Sequence, residues 1–352
     1  MATCQIGAEN AFKREMTQLC PDARFAYSRP GFLTFKLPSE HGLCDDYSAG
    51  STFARALAFS LGKAAGEDND ERAAKFWDLL VDVNVERVHV WSPDLAPVGD
   101  RGYVPGPTTA ASEVRDKIIA ARPDRENVAA VDALRVPTRR GQLVADCVLV
   151  SDHEWWVGFH RATGETSCWP GGLREIEIPL HAVSRAYAKM VEALRWLRMS
   201  LQRGEQVAEI GCAPGGAAQA LLDRGLHVLG IDPAEVATEV LAHPNFVHLQ
   251  KRGAEVRRSK FHDVRLLAVD VNIEPPVVLD MVESIVNHRQ ADIRGLLITL
   301  KLPRWELADE LPEYRARVKA WGYSDVRTRQ LQHNRQEVCL AAVKRRRRRA
   351  RP

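Results

Sequence analysis

Short apolar segments alternate with longer amphipathic segments through the C-terminal half of the chain, and this alternation constrains the fold more than any other feature. The apolar segments have strand length, and we predict strands at 206–210, 227–231, 246–249, 264–269 and 295–300, with two more on either side of a turn at 333–334. We predict helices between them at 215–224, 234–242, 277–286 and 306–322. Repeated strand–helix units of this kind predict a Rossmann-like α/β domain, in which helices cover both faces of a parallel sheet.

The N-terminal half follows an irregular α+β pattern instead. We predict helices at 10–20 and 51–62, and strands at 31–37, 87–91, 142–150 and 155–160. Proline and glycine interrupt any regular element between residues 166 and 183, so we interpret this stretch as a linker. The chain then divides into an N-terminal α+β region at 1–165, the linker at 166–183, the Rossmann-like domain at 184–344 and a basic tail at 345–352.

Positive charge is concentrated at the C-terminal end of the sequence. The chain carries a formal net charge of +3, and residues 344–351 hold one lysine and six arginines. Without these seven positive charges the net charge would be −4, so the rest of the chain is mildly acidic. An arginine-rich arm binds RNA phosphates well, because each contact releases counterions. The alternative is a solvated tail that has no partner.

The composition disfavours several classes of protein and site. Charged residues break every apolar run before it reaches the length of a membrane span, and the first residues lack the pattern of a secretory signal, so we expect a cytoplasmic protein. The seven cysteines are scattered with no C-x-x-C pair, which favours free thiols. We expect no metal site, because the histidines lack metal-ligand spacing such as H-x-x-x-H; those considered are His153, His160, His243, His248 and His262.

A glycine-rich segment joins the first strand of the Rossmann-like domain to the following helix. It reads Glu209-Ile-Gly211-Cys-Ala-Pro-Gly215-Gly216. Glycine allows the backbone to turn tightly and to lie close to a ligand. The segment matches neither G-x-G-x-x-G nor G-x-x-x-x-G-K-[ST], so a dinucleotide site and a nucleoside triphosphatase both fit poorly. An acidic residue followed by G-x-x-P-G-G suits a ligand with a zwitterionic amino-acid end instead.

Two aspartates lie at the ends of other strands predicted for this domain. Asp232 follows the second strand, about 20 residues after the glycines, where a carboxylate can bind ribose hydroxyls. Asp270 follows the fourth strand. Because the carboxyl ends of parallel strands meet at one edge of the sheet, we expect Asp232, Asp270 and the glycines to line one pocket. A tight turn without a ligand is the alternative for the glycines.

Several motifs of the C-terminal half match those of one known family. They are Glu209-x-Gly-x-x-Pro-Gly-Gly, Ala268-Val-Asp270, Thr299-Leu-Lys301-Leu-Pro and Gln336-Glu337-Val, preceded by Cys168-Trp-Pro-Gly-Gly-Leu and Ser184-Arg-x-x-x-Lys189. These motifs resemble the FtsJ-like ribose 2′-O-methyltransferases, and among them the members that act on bacterial large-subunit ribosomal RNA. The resemblance covers roughly residues 166 to 344. The N-terminal half, which in that family carries an RNA-binding THUMP domain, is similar in placement and general pattern only.

The resemblance implies a reaction, a cofactor and a set of site residues. It implies S-adenosylmethionine as the methyl donor and RNA, in the first instance ribosomal RNA, as the partner. Carried over by motif, the catalytic residues are Lys189, Asp270, Lys301 and Glu337. Together with the strand-end residues above, the expected cofactor-binding residues are Ser184, Glu209, Gly211, Ala213, Pro214, Gly215, Gly216, Asp232 and Asp270.

The residue types of this Lys–Asp–Lys–Glu set suit the reaction. A ribose hydroxyl is a weak acid and a poor nucleophile, so a lysine beside it must accept its proton or stabilise the developing alkoxide. A lysine accepts a proton only if its pKa is lowered, and a second lysine close by lowers it. We expect Lys301 to be the proton acceptor and Lys189 its electrostatic partner. The carboxylates of Asp270 and Glu337 would orient the two amino groups.

The sequence departs from the family pattern at several points, including the helix after Gly216, which begins Ala-Ala where the family has Trp, and other functions remain open. The family places an acidic residue near the adenine after the third strand, whereas this sequence has Arg252. The alternatives are 2′-O-methylation of another RNA, such as transfer RNA or a messenger cap, and a non-catalytic RNA-binding protein that retains the fold. A small-molecule O-methyltransferase fits less well, because it needs neither an RNA-docking domain nor an arginine-rich tail.

Overall fold

The computed structural model of the chain describes residues 1–40, 42–48, 50–151 and 153–344. It divides into two compact units, Met1–Glu175 and Ile176–Pro352. The boundary between these units lies inside the linker predicted at 166–183. The basic tail predicted at 345–352 lies outside the described residues.

The N-terminal unit combines helices with two small sheets. In chain order its elements are β1 (Ala2–Thr3), α1 (Glu9–Leu19), β2 (Arg24–Arg29), β3 (Phe32–Lys36), β4 (Ala56–Leu57), β5 (Phe59–Ala64), α2 (Asn69–Leu79), β6 (Arg87–Trp91), α3 (Thr109–Ala120), α4 (Val131–Arg135), β7 (Leu143–Ser151) and β8 (Glu154–Arg161), with 3₁₀ turns at Asp100–Gly102, Thr166–Cys168 and Pro170–Gly172. One sheet has the strand order β2-β3-β1-β4, and the other has β5-β8-β7-β6. In the second sheet β6 and β7 are parallel, and the other neighbours are antiparallel.

Helices α2 and α3 pack together against the β5-β8-β7-β6 sheet. Each begins at a residue whose side chain accepts hydrogen bonds from backbone N–H groups of the first turn, Asp68 for α2 and Thr108 for α3. Phe76 and Trp77 of α2 are buried, and the Nε1 of Trp77 donates to the carbonyl oxygen of Ile118 at 2.8 Å. The polar atom of Trp77 is therefore satisfied within this core.

The helix predicted at 51–62 is wrong. Its first residues are irregular, and the carboxylate of Glu15 accepts hydrogen bonds from the hydroxyl of Ser51 and the backbone N–H of Thr52. The residues that follow form β4 and β5, which pair with β1 and β8. The larger apolar residues here, Phe53, Leu57, Phe59 and Leu61, all lie an even number of positions apart, which fits the period of a strand. Pairing with strands distant in sequence outweighs the local pattern that predicted a helix.

The C-terminal unit has the predicted Rossmann-like fold. In chain order its elements are α5 (Ala186–Leu197), β9 (Gln206–Ile210), α6 (Gly216–Leu222), β10 (His227–Ile231), α7 (Thr238–Leu241), β11 (Phe246–Leu249), β12 (Val264–Val269), α8 (Pro275–Val286), β13 (Gly295–Lys301), α9 (Leu311–Ala320), β14 (Asp325–Arg329) and β15 (Glu337–Val343), with 3₁₀ turns at Gly253–Glu255, Arg258–Phe261 and Trp305–Glu310. Within the described residues, seven strands form one sheet in the order β11-β10-β9-β12-β13-β15-β14. The strands from β11 to β13 are parallel, whereas β15 is antiparallel to both β13 and β14.

The strand order reverses at β9, which lies between β10 and β12. The chain adds β10 and β11 on one side of β9 and then crosses to add β12 and β13 on the other. Ligands of such sheets bind beyond the carboxyl ends of the strands at this switch point. Ile210, the last residue of β9, is in register with both Ile231 and Val269. The residues that follow these three strands therefore share one edge of the sheet.

Continuous apolar runs mark the central strands because both faces of the sheet are covered. In β13 the first four residues are buried, and Lys301 is the last residue of the strand. A charge is tolerated there because the strand reaches the edge of the sheet at that point. The same alternation of buried strands and amphipathic helices made this domain predictable from the sequence.

Two predicted helices begin several residues later than expected. The helix predicted at 234–242 is restricted to α7, because the backbone N–H of Ala237 donates to the carbonyl oxygen of Pro214 at 2.9 Å. The helix predicted at 306–322 begins as the 3₁₀ turn Trp305–Glu310 and continues as α9, with a proline in its first turn. Proline is well placed there, because its missing N–H would have no partner within the helix.

Two predictions from composition concern the chain as a whole. No helix in the described part of the chain is both long and apolar enough to cross a bilayer. All seven cysteines are free thiols, as their scattered spacing predicts.

Candidate active site

Four charged side chains meet at the carboxyl edge of the C-terminal sheet. Lys189 projects from α5, Asp270 directly follows β12, Lys301 ends β13 and Glu337 begins β15. Because β13 and β15 are antiparallel, their register pairs Lys301 with Glu337. The structure thus brings together the four residues that the sequence assigns to one catalytic set, and we call them the charge ring.

The charge ring is closed by ion pairs on all four sides. The Nζ of Lys189 lies 2.7 Å from Oδ2 of Asp270 and 2.6 Å from Oε1 of Glu337. The Nζ of Lys301 lies 2.8 Å from Oδ1 of Asp270 and 2.5 Å from Oε2 of Glu337. Each lysine therefore contacts both carboxylates, and two positive charges balance two negative ones.

Burial and charge pairing shift the pKa values of Lys189 and Glu337 in opposite directions. Burial favours the neutral form of Lys189, but the attraction of Asp270 and Glu337 outweighs it and raises the pKa of Lys189. Burial also favours the neutral form of Glu337, yet the two lysines lower the pKa of this carboxyl group to about 2. We expected one lysine of the set to lower the pKa of the other, whereas the causes that act on Lys189 are burial and the two carboxylates, and the carboxylates prevail. Lys189 and Glu337 are therefore both charged at neutral pH.

Asn334 holds Glu337 in place, and no sequence motif pointed to it. Its side-chain Nδ2 donates to Oε1 of Glu337 at 3.1 Å, while its Oδ1 accepts a hydrogen bond from the backbone N–H of Leu331 at 2.8 Å. Only 2% of Asn334 is exposed, so both bonds are shielded from water. The signal in the sequence was the polar turn predicted at 333–334, which was interpreted only as a connection between strands.

Glu192 ties the same turn to the helix that carries Lys189. It lies three residues after Lys189 on α5. Its carboxylate accepts hydrogen bonds from the backbone N–H groups of Gln332 at 2.7 Å and His333 at 3.2 Å. The turn before β15 is therefore anchored to α5, and this anchor fixes the distance between the Lys189 and Glu337 sides of the ring.

The glycine-rich segment packs closely against its own neighbours. Gly211 has φ +87°, and a Cβ there would lie 2.1 Å from the carbonyl oxygen of Asp270. A Cβ on Gly216 would lie 2.2 Å from the Oγ of Ser184. Gly215 also has a positive φ, +118°, and borders a side chain of α7. Close approaches within the chain thus require glycine here, and they place Ser184 and Asp270 beside the segment.

Asp232 organises the same edge from the end of β10. Its carboxylate accepts hydrogen bonds from the backbone N–H of Ala213 at 3.0 Å and of Ala234 at 2.9 Å. Ala213 is joined to Pro214 by a cis peptide bond. The carboxylate of Asp232 therefore contacts the glycine-rich segment directly, and the predicted cofactor residues lie along one edge of the sheet.

Glu209 is buried beneath this edge. Only 2% of the residue is exposed, and within the described part of the chain its Oε2 has no hydrogen-bond partner. Burial, together with the charges of Asp270 and Asp232, raises the pKa of Glu209 well above its ordinary value. An unpartnered buried carboxyl group is unfavourable, so a bound polar group would find an unsatisfied partner here.

The candidate site does not coincide with the larger of two cavities beside this sheet. A cavity of about 40 Å³ lies against the charge ring, with Glu209 and Asn334 in its lining. A larger cavity of about 560 Å³ lies at the opposite edge of the sheet, beside Gln206 and His227, and none of the predicted site residues lines it. The convergence of charged side chains, rather than the larger volume, identifies the candidate site.

Comparison with known proteins identifies the family of this unit. Residues 182–339 match the family described as FtsJ-like methyltransferase. The C-terminal unit is an FtsJ-like methyltransferase domain. The resemblance predicted from the motifs is therefore confirmed, and every residue of the charge ring falls inside the matched range.

Curated relatives carry a more specific name. The chain is 32% identical over 212 residues to the ribosomal RNA large subunit methyltransferase M of Thauera aminoaromatica. The matched region covers 57% of this chain and 57% of the relative. It is 33% identical over 181 residues to the protein of the same name from Azoarcus sp. (strain BH72), and this matched region covers 48% of each chain. The chain thus spans about half the length of the curated relatives it matches.

Solved structures are more distant. The fibrillarin of Aeropyrum pernix in complex with S-adenosyl-L-methionine is 16% identical and has a TM-score of 0.34, with 56% of this chain and 81% of that chain covered. A TM-score this low supports no conclusion about the site.

Arg252 is one of the departures from the family pattern within the FtsJ-like domain. It is exposed, and its backbone N–H donates to Oε2 of Glu255 at 3.2 Å. Glu255 is the nearest acidic residue along the chain. Its carboxylate is thus bonded to the backbone of the same 3₁₀ turn.

Proposed function

We propose that this protein is an S-adenosylmethionine-dependent methyltransferase that methylates a ribose 2′-hydroxyl of large-subunit ribosomal RNA. The observation that carries the proposal is the charge ring, which lies at the carboxyl edge of an FtsJ-like sheet beside the glycine-rich segment. The name shared by the curated relatives supports the choice of RNA.

The residues at the edge of the sheet fit S-adenosylmethionine. The unpartnered Oε2 of Glu209 would accept a hydrogen bond from the amino group at the methionine end of the cofactor. The residues proposed to hold the cofactor are Ser184, Glu209, Gly211, Ala213, Pro214, Gly215, Gly216, Asp232 and Asp270. When bound, S-adenosylmethionine supplies an electrophilic methyl group on a sulfonium.

The charge ring would handle the proton of the ribose hydroxyl. The side chain of Lys301 is 23% exposed and ends beside Asp270 and Glu337. The Nζ of Lys301 would accept the hydroxyl proton as the methyl group is transferred, and Asp270 and Glu337 would stabilise the ammonium that forms. Lys189, whose pKa is raised, keeps its charge and stabilises the developing alkoxide.

The N-terminal unit would position the RNA. We assign residues 1–165 as a THUMP-like RNA-binding region joined by the linker at 166–183 to the methyltransferase domain at 184–344. The basic tail at 345–352 would add phosphate contacts. Because the proposed substrate is ribosomal RNA, we propose a cytoplasmic location for the protein.

The test is methyl transfer from labelled S-adenosylmethionine to RNA from cells that lack the protein, followed by mapping of 2′-O-methylation. We expect label at a ribose of large-subunit ribosomal RNA with the wild-type chain and none with Lys301→Ala. Lys319→Ala, which changes an exposed lysine of α9, is the matched control and should act as the wild type. Label only in transfer RNA or messenger caps would replace the proposed substrate with another RNA.

A non-catalytic RNA-binding protein is the second candidate, and Arg252 favours it. An exposed arginine in place of an acidic residue would remove a contact to the adenine and weaken cofactor binding. A thermal-shift measurement with S-adenosylmethionine separates the two, because a ligand that binds only the folded state raises the melting temperature. No shift at millimolar cofactor would favour the non-catalytic protein.

A further inference from the structure

Three potential metal ligands meet inside the N-terminal unit, away from the charge ring. They are His89 of β6, Asp146 of β7 and His160 of β8. One ligand atom from each residue lies within 4.8 Å of the other two. The three residues are buried or nearly so, with 4% of His89 and 0% of Asp146 exposed. We call them the His–Asp–His cluster.

The strand register explains why these side chains share one face. His89 is opposite Asp146 in the parallel pair β6–β7, and His160 is opposite Val144 in the antiparallel pair β7–β8. Val144 and Asp146 are two residues apart on β7, so they point to the same side of the sheet. The sheet therefore presents all three side chains in the same direction from three adjacent strands.

Hydrogen bonds outside the cluster orient both imidazole rings. The Nε2 of His89 lies 2.8 Å from the Oγ1 of Thr138, and the Nε2 of His160 lies 2.8 Å from the carbonyl oxygen of Ser167. A carbonyl oxygen only accepts, so the Nε2 of His160 carries a proton. Metal-binding histidines are commonly held in this way, with one ring nitrogen bonded to an outer partner and the other facing the ion.

Two buried polar atoms of the cluster lack a hydrogen-bond partner within the described residues. They are the Nδ1 of His89 and the Oδ1 of Asp146. The remaining oxygen of Asp146, Oδ2, lies 2.6 Å from the Nδ1 of His160. Buried polar atoms are nearly always paired, so two unpaired atoms in one cluster call for a common partner.

We propose that His89, Asp146 and His160 form a binding site for a divalent transition-metal ion, with zinc as the best match. Two imidazole nitrogens and one carboxylate oxygen are a ligand set that zinc accepts, with bonds of about 2.0–2.2 Å. Ligand atoms around a tetrahedral ion with such bonds stand about 3.4 Å apart. This separation lies between the 2.6 Å from Oδ2 of Asp146 to Nδ1 of His160 and the 4.8 Å limit of the cluster, so small side-chain rotations would fit the cluster to the ion. The ion takes the place of the proton on the Nδ1 of His160, which is released to solvent.

The site would hold the second sheet and the segment after β8 together. Its ligands come from three strands, and the outer partner of His160 lies in the 3₁₀ turn Thr166–Cys168. We expected no metal because the sequence has no short histidine spacing. The strand pairing supplies the proximity that the spacing lacks.

The experiment uses the full chain, freed of metal with a chelator and titrated with Zn²⁺. We expect one tightly bound zinc per chain, a higher melting temperature, and zinc-edge X-ray absorption that shows nitrogen and oxygen neighbours only. His89→Gln and Asp146→Asn should each weaken zinc binding at least tenfold. His153→Gln, which changes an exposed histidine of the same unit, is the matched control and should bind zinc as the wild type does.

The wild-type measurements decide the proposal even if the variants do not fold. A wild-type chain that binds no zinc at micromolar concentration would overturn it, and the cluster would then be a buried Asp146–His160 ion pair. Sulfur in the zinc shell would overturn it as well, since it would place the ion on a cysteine. A folded His89→Gln variant that binds zinc with wild-type affinity would also overturn the proposal.

Discussion

Lys301 and Glu337 lie directly opposite each other on the antiparallel strands β13 and β15, with Nζ and Oε2 2.5 Å apart. This pairing lies at the carboxyl edge of the parallel strands, where Rossmann-like sheets bind their ligands. The antiparallel β15 therefore does more than extend the sheet, because its first residue delivers a carboxylate to the end of β13.

Lys301→Ala should abolish methyl transfer while S-adenosylmethionine still binds. The hydroxyl proton would then have no amine to accept it. Lys301→Arg should fail as well, because arginine stays protonated and cannot act as a base. Single-turnover rates and cofactor affinity measured on both variants check this. Near-normal turnover by Lys301→Arg would mean that residue 301 acts only as a fixed positive charge.

Asn334→Ala should lower kcat about tenfold and leave the KM for S-adenosylmethionine little changed. The reason is that Glu337 would lose the hydrogen bond that aims its carboxylate. Asn287→Ala, at an exposed asparagine after α8, is the control for an amide removed elsewhere. A change in KM alone would indicate that Asn334 shapes the cofactor pocket instead.

The pairing of Glu337 should make the stability of the C-terminal unit depend on pH. The pKa of Glu337 falls from 4.5 to about 2 in the folded state, so the ionised form stabilises the fold. This contribution is fully present above pH 4.5 and is lost as the pH falls toward 2. It amounts to about 3 kcal/mol at neutral pH, on the basis of 1.36 kcal/mol per pKa unit.

Urea unfolding between pH 6 and pH 3 checks the effect of Glu337. The free energy of unfolding should fall more steeply with decreasing pH in the wild type than in Glu337→Gln. Parallel curves for the two proteins would show that the carboxyl group of Glu337 titrates alike in the folded and unfolded states.

Gly211→Ala should destabilise the fold by more than Gly322→Ala does. Both glycines have nearly the same positive φ, +87° and +89°, but a Cβ on Gly211 would lie 2.1 Å from a backbone oxygen, and a Cβ on Gly322 would meet nothing within 4 Å. The Gly322 variant should lose about 1 kcal/mol from backbone strain, and the Gly211 variant about 3 kcal/mol or more, because the clash adds to the strain. Equal losses in denaturant unfolding would contradict the clash.

Removal of residues 345–352 should weaken RNA binding and make its salt dependence shallower. The removed segment carries six arginines, and every phosphate that the shortened chain no longer neutralises reduces the slope of log K against log salt by about 0.7–0.9. Turnover at saturating RNA should be unchanged. RNA affinities measured at several salt concentrations between about 50 and 200 mM give this slope. An unaltered slope would mean that the tail binds no phosphate.

The sequence by itself determined the Rossmann-like domain and the edge of the sheet that carries the candidate site. Buried parallel strands are mostly apolar, so β9, β10, β12 and β13 could be recognised individually even though Glu209 lies within β9. The end of each run marked the residue that emerges at the edge, which is why Asp232 and Asp270 could be placed there. The motifs then supplied Lys301 and Glu337.

Only the tertiary structure decided which distant segments pair. Local periodicity reports which face of a segment is buried, but it contains no information on which strand lies beside it. This is why residues 51–62 were assigned to a helix, and why Asn334 and Glu192 were missed as supports of the charge ring. The His–Asp–His cluster was missed for the same reason, since its three ligands become neighbours only when β6, β7 and β8 pair in register.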